Sequence, residues 1–182
     1  MRMKKALLIA VPLIVTIIAA PPPAEAGGSD SVSVGLSYIF PSASRDAQGM
    51  NLSLRYCHLF IADLGISASV ASAFPINGPK NLDPLLTAEL GVYYMIDLGP
   101  VSPYINAGGD YYNGALGRGR GSHLGVFAAV GIEIALPKGF ALGIEYGYRA
   151  LIETTGFYTA YQGLGLIFLY EWGTASKSIS KI

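Results

Sequence analysis

From residue 32 onward, apolar side chains fall on every second position in runs of about ten residues, the period of a strand with one greasy face and the length a tilted strand needs to cross a bilayer. The clearest run is 124–136, where Leu124, Val126, Ala128, Val130, Ile132, Ile134 and Leu136 alternate with Gly125, Phe127, Ala129, Gly131, Glu133 and Ala135. After Pro137-Lys138-Gly139 the next run sets Phe140, Leu142, Ile144, Tyr146 and Tyr148 against Ala141, Gly143, Glu145, Gly147 and Arg149. Two alternating runs joined by a Pro/Gly turn predict a hairpin with its faces in register. The same alternation predicts strands over 32–40, 50–60, 64–74, 86–97, 101–112 and 164–172, which makes eight.

The connections alternate in length, and this decides the topology. Segments 60–63, 98–100 and 137–139 are tight, whereas 41–49, 75–85, 113–123 and 150–159 are longer and rich in Gly, Pro, Ser, Asn or charge. Short turns on one rim and long loops on the other predict an antiparallel up-and-down transmembrane β-barrel, all-β, with the short turns and both ends of the barrel on the periplasmic side and four longer loops outside the cell.

A soluble eight-stranded barrel has the opposite polarity, apolar within and charged without. Here Arg55, Glu89, Asp110, Glu133, Glu145, Arg149 and Glu171 all share a face with Gly, Ser and Ala. Turned to hydrocarbon, that face would cost several kcal/mol per charge near the midplane, about 2 to 4 for a basic side chain. The apolar face therefore meets lipid, and the sheet must close, because an open edge in hydrocarbon leaves backbone groups unpaired. Composition agrees: only 13% of residues are charged and 52% are hydrophobic, with 23 glycines and 12 tyrosines. Tyr38, Phe40, Phe74, Tyr111 and Tyr148 near one rim, and Phe60, Tyr94, Phe140, Tyr170 and Trp172 near the other, match two interfacial belts.

Residues 1–26 read as a secretory signal peptide: Arg2, Lys4 and Lys5, then the apolar stretch 6–20, then Ala24-Glu25-Ala26 as a small-x-small cleavage site. The organisation expected is a signal peptide over 1–26, a short segment over 27–31, the barrel over 32–172 and a periplasmic tail over 173–182. Cleavage near Ala26 removes three of twelve basic and one of twelve acidic residues, leaving a slightly acidic chain with no basic excess to attract nucleic acid. Cys57 is the only cysteine, so no intrachain disulfide can staple the fold.

Over about 31–172 the chain resembles the small outer-membrane barrels of the OmpA transmembrane-domain and OmpX type, the outer membrane protein β-barrel domain. The last strand also resembles that family's assembly signal, through Tyr161, Gly163, Leu166 and Phe168, although residues 173–182 follow where the family usually ends on an aromatic. The resemblance implies location in the bacterial outer membrane, contact with lipopolysaccharide and other outer-membrane lipid, and recognition by the barrel-assembly machinery during biogenesis.

The most distinctive polar set is Arg55, Glu89, Glu133, Glu145 and Arg149, expected to form an ion-pair network filling a narrow lumen or to line a gated ion path. Arg118 and Arg120, in the Gly-rich segment 114–121, are candidates for lipid phosphate contact. A lipid-modifying enzyme would need a nucleophile with a His base in reach. The chain offers only His58 and His123, with Ser122 on the opposite face from its neighbour, and it lacks the spaced His-x-Ser pattern of lipid A deacylases. No cofactor, metal-ligand cluster or catalytic residue is expected. The expected role is structural or surface interaction, for envelope integrity or adhesion to a surface ligand through the loops, with a small-solute or ion channel as the alternative.

Overall fold

The computed structural model describes residues 28–41, 48–61, 63–77, 85–116, 119–152 and 160–173. Its strands are β1 (Ser29–Pro41), β2 (Gln48–Ile61), β3 (Leu64–Asn77), β4 (Leu85–Met95), β5 (Val101–Leu116), β6 (Gly119–Ala135), β7 (Phe140–Leu151) and β8 (Ala160–Gly173). Each pairs antiparallel with its neighbours in chain order, and β1 pairs with β8 to close the barrel. Closure leaves no strand edge along the wall, which is what a sheet in hydrocarbon requires.

Alternation sets the two faces. In β6 the outward Leu124, Val126, Val130, Ile132 and Ile134 are exposed, while Phe127 and Ala129 between them are buried. The aromatic belts fall outside at the two rims, with Tyr38, Phe74, Tyr111 and Tyr148 at the long-loop end and Phe60, Tyr94, Phe140 and Tyr170 at the short-turn end. The β6–β7 turn is a single 3-10 turn over Pro137–Gly139, in which Lys138 (φ 66°) and Gly139 (φ 78°) both take left-handed backbone. Glycine adopts that conformation without steric cost and reverses the chain in three residues.

Several boundaries differ from the pattern-based expectation: β3 runs on to Asn77 instead of ending at 74, and β8 starts at Ala160 instead of 164. β1 begins at Ser29, so most of the expected segment 27–31 is strand: Ser29, Asp30 and Ser31 pair with Leu59, His58 and Cys57 on one side and with Gly173, Trp172 and Glu171 on the other. Ser-Asp-Ser carries no apolar member, so the pairing leaves no mark in the hydropathy pattern. The expected loop 113–123 is largely a continuation of the β5–β6 ladder, through Asn113↔Ser122, Gly114↔Gly121, Ala115↔Arg120 and Leu116↔Gly119. The β5–β6 hairpin therefore rises beyond the belt as sheet, because backbone pairing needs no apolar face once the chain has left the membrane. β4 ends at Met95, two residues short of the expected 97, where Ile96 and Leu98 bond back to Pro103 and Val101 around the turn. Residues 1–27 and 174–182 lie outside the described residues, and with them the expected signal peptide and most of the tail.

Candidate functional site: the charged lumen

Inward-pointing residues of alternate strands meet in the lumen, and large side chains stand opposite glycines. Tyr104 faces Gly131 across β5 and β6, and a Cβ on Gly131 would lie 2.4 Å from the Tyr104 ring. Asp110 faces Gly125, where a Cβ would lie 2.3 Å from its Oδ1. The narrow bore of eight strands holds these groups because the paired position on the adjacent strand has no side chain.

Two charged centres occupy the bore. In the first, Arg55 on β2 reaches across to Glu145 on β7 and binds it bidentately, Nη1 donating to Oε2 at 2.6 Å and Nη2 to Oε1 at 2.9 Å. Tyr104 adds a bond from its hydroxyl to Glu145 Oε2 at 2.8 Å. Its ring stacks on Tyr93 at 5.0 Å between centroids, and the Tyr93 hydroxyl donates to Glu133 Oε1 at 2.9 Å. In the second centre, Arg149 donates to Glu89 Oε1 from Nε at 2.7 Å and from Nη2 at 2.5 Å, and Ser69 donates to Glu89 Oε2 at 2.5 Å. The Arg149 guanidinium lies over the rings of its two cross-strand neighbours, Phe127 at 5.9 Å and Tyr161 at 5.6 Å. Asp110 sits beside Glu89 in register and accepts from the Tyr112 hydroxyl, while its Oδ1 is buried without a partner among the described residues.

Apolar side chains stand at both ends of this polar middle. Toward the short turns Cys57, Leu59, Met95, Ala141, Ile167 and Leu169 form one buried cluster. Toward the long loops Tyr112, 0% exposed, packs with Ala73, Ile39 and Tyr161, its ring edge-on to Tyr161 at 6.1 Å. Paired charges between apolar layers in a narrow bore are held by a low dielectric, where an ion pair is strong but an unpaired charge is costly.

Of the lumenal residues singled out from sequence, the structure brings together Arg55 with Glu145 and Arg149 with Glu89, and places Glu133 with Tyr93. Tyr161 faces the bore beside Arg149, whereas Leu166 and Phe168 point outward, and Gly163 packs against Ile39. Arg118 lies outside the described residues, and Arg120 is described only by its backbone pairing with Ala115. Ser122 accepts a bond from Tyr111 on the outer face, and His58 bonds Asp30 near the short turns. Sequence reasoning missed the tyrosines Tyr93, Tyr104 and Tyr112 and the serine Ser69. Their inward parity was visible, and a buried phenol needs an acceptor, but which carboxylate it meets depends on neighbours from distant strands. It also missed Asp30, which parity extended back from Val32 would have placed on the outer face.

No family model matches the chain, and no curated protein matches it by sequence. Among solved structures, neisserial surface protein A is similar at TM-score 0.60 and 16% identity over 80% of this chain and 97% of that one. The N-terminal β-barrel domain of Pseudomonas aeruginosa OprF is similar at TM-score 0.61 and 13% identity, over 80% and 99%. Ail, the attachment invasion locus protein of Yersinia pestis, is similar at TM-score 0.51 and 17% identity, over 81% and 100%. With the closed strand order, the apolar exterior and the paired lumen, these likenesses identify the fold: the chain is built as a small eight-stranded transmembrane β-barrel of the outer-membrane type.

Proposed function

We propose that this chain is a bacterial outer-membrane protein with a structural or surface-interaction role, supporting envelope integrity and presenting its long-loop end to a surface ligand, and that it is not an enzyme. In this reading residues 1–26 direct export and are cleaved near Ala26, the short turns face the periplasm, and the barrel-assembly machinery inserts the chain. The observation that carries the role is the filled bore: both guanidiniums are spent on carboxylates inside the wall, with apolar clusters above and below. With both arginines of the bore paired inside the wall, the rims and loops are the working surface in this reading. The attachment role named for Ail and the surface location named for neisserial surface protein A agree with this reading. Lipopolysaccharide phosphates are the proposed contact for Arg118 and Arg120, tested by comparing binding of the parent and an R118Q/R120Q variant to lipopolysaccharide with and without its phosphates.

A second reading, a small-solute or ion channel, is favoured by one observation. The bore sets Glu89, Asp110, Glu133 and Glu145 against Arg55 and Arg149, and Asp110 Oδ1 has no partner among the described residues, so a cation path is chemically reasonable. Single-channel recording in planar bilayers separates the two readings. The structural reading expects no steady openings; steady cation-selective openings that shrink in E89Q or D110N would replace it with the channel.

A further inference from the structure

On the lipid-facing side, at the short-turn rim, one carboxylate breaks the apolar rule. Asp30 of β1 lies on the outward face, and among the described strand residues it is the only acidic one there. It is level with His58 of β2 on one side and Trp172 of β8 on the other. Two donors hold it in place: the Tyr56 hydroxyl at 2.5 Å and His58 Nδ1 at 2.8 Å, both on Oδ1. Among the described residues both bonds fall on Oδ1, which leaves Oδ2 for a further donor, and the Asp30 and His58 side chains stay 15% and 31% accessible. A carboxylate can only accept, so in this contact it is the imidazole Nδ1–H that donates to Asp30.

The surroundings select what that charge can bind. Side chains directly opposite in an antiparallel ladder lie about 5 Å apart at Cβ, so a cation on Asp30 is within cation–π reach of the Trp172 indole. Trp172 stacks on Tyr170 at 5.9 Å, and Tyr170 lies tilted against Phe140 at 5.0 Å, a row of aromatics at the depth where headgroups meet acyl chains. Below this row is water and above it hydrocarbon, so a cation carried on a lipid headgroup is held at this depth by its own acyl chains, whereas a dissolved ion is not. From this geometry we infer that Asp30, Tyr56, His58 and Trp172 form a binding site for the primary ammonium of an ethanolamine phospholipid, the N–H groups donating to Asp30 Oδ2 and the charge lying against the indole. A choline headgroup offers the charge without the donors, and a glycerol headgroup carries a net negative charge that Asp30 repels.

The inference rests on the outer-membrane reading, and the experiment keeps the two apart. The mature chain is refolded into vesicles holding equal amounts of phosphatidylethanolamine, phosphatidylcholine and phosphatidylglycerol, and insertion is read by flotation. The inserted protein is then extracted and its retained lipids counted by native mass spectrometry. The expected result is about threefold enrichment of phosphatidylethanolamine over either competitor, the size of a partly exposed ion pair with one cation–π contact. Asp30→Asn should bring the three to parity, Asp30→Glu should retain the preference, and Trp172→Leu should weaken it if Asp30→Asn fails to fold. Parity in the parent, or a preference that survives in both Asp30→Asn and Trp172→Leu, overturns the inference while leaving the barrel reading intact. Failure of the parent to float with vesicles overturns both.

Discussion

At the scale of single residues, the two guanidiniums differ in what they hold. Arg55 is bidentate to Glu145, and that carboxylate also takes the Tyr104 hydroxyl, so removing the arginine leaves a buried charge with one neutral donor. Truncating one member of a buried pair costs about 3 to 5 kcal/mol. Arg55→Ala is therefore expected to lower the unfolding free energy measured in detergent or bilayer denaturation by that amount, and Arg55→Ala with Glu145→Gln to recover part of it. Glu89 belongs to the other centre, bonded to Arg149 and Ser69, so Arg55→Ala with Glu89→Gln should lose stability additively or worse. Recovery with Glu89→Gln and none with Glu145→Gln would mean the pairs are exchanged. Gly131 makes a separate point. A methyl there would sit 2.4 Å from the Tyr104 ring, closer than any real contact, so Gly131→Ala should cost about 1 to 3 kcal/mol. In a Tyr104→Leu background the same change should cost visibly less, and an equal penalty in both backgrounds would show that the strain lies elsewhere.

At the scale of the strand, position parity decides what a substitution does. Val130 and Ala129 are neighbours in β6, yet Val130 is 51% exposed on the outer wall and Ala129 is 2% exposed in the bore. Val130→Arg places a charge in hydrocarbon near the middle of the strand and should destabilise by about 2 to 4 kcal/mol, whereas Ala129→Ser adds one hydroxyl to a polar bore and should be mild. Matching losses in a bilayer unfolding titration would undo the assignment of faces. The strand cores were legible in sequence because this parity must hold wherever one face is wet or polar and the other meets lipid. Where the membrane ends the constraint ends too, which is why the pairing of 29–31 and of 113–116 with 119–122 carried no periodic signal and emerged only from the ladders themselves.

At the scale of the molecule, closure has a chemical reporter in Cys57, which points into the bore among Leu59, Met95 and Leu169 and is 5% exposed. A maleimide reagent applied to the folded barrel should leave Cys57 unmodified, and the same reagent after heat unfolding should label it fully. Rapid labelling of the folded protein would mean the short-turn end of the bore is open to solvent, and it would strengthen the channel reading. Unheated and heated samples should also migrate differently on a gel, since a closed barrel stays compact in detergent; identical mobility would count against eight closed strands.

The order of hydrophobic and polar positions was enough to determine eight strands, the face each turns to lipid and the alternation of short and long connections, because each is a local requirement that every strand meets by itself. It could also name the charged residues of the bore, since a charge excluded from the lipid face has only one other face to occupy. Which charges meet was decided by the tertiary structure. Arg55 and Glu145 stand 90 positions apart, Arg149 and Glu89 stand 60 apart, and only the register and curvature of the closed sheet bring each pair across the lumen. The same holds for the tyrosines that complete the two centres and for Asp30, whose companions are His58 on the adjoining β2 and Trp172 on β8, a strand that meets β1 only when the barrel closes. Periodicity is a property of one strand, whereas partnership is a property of the closed ring.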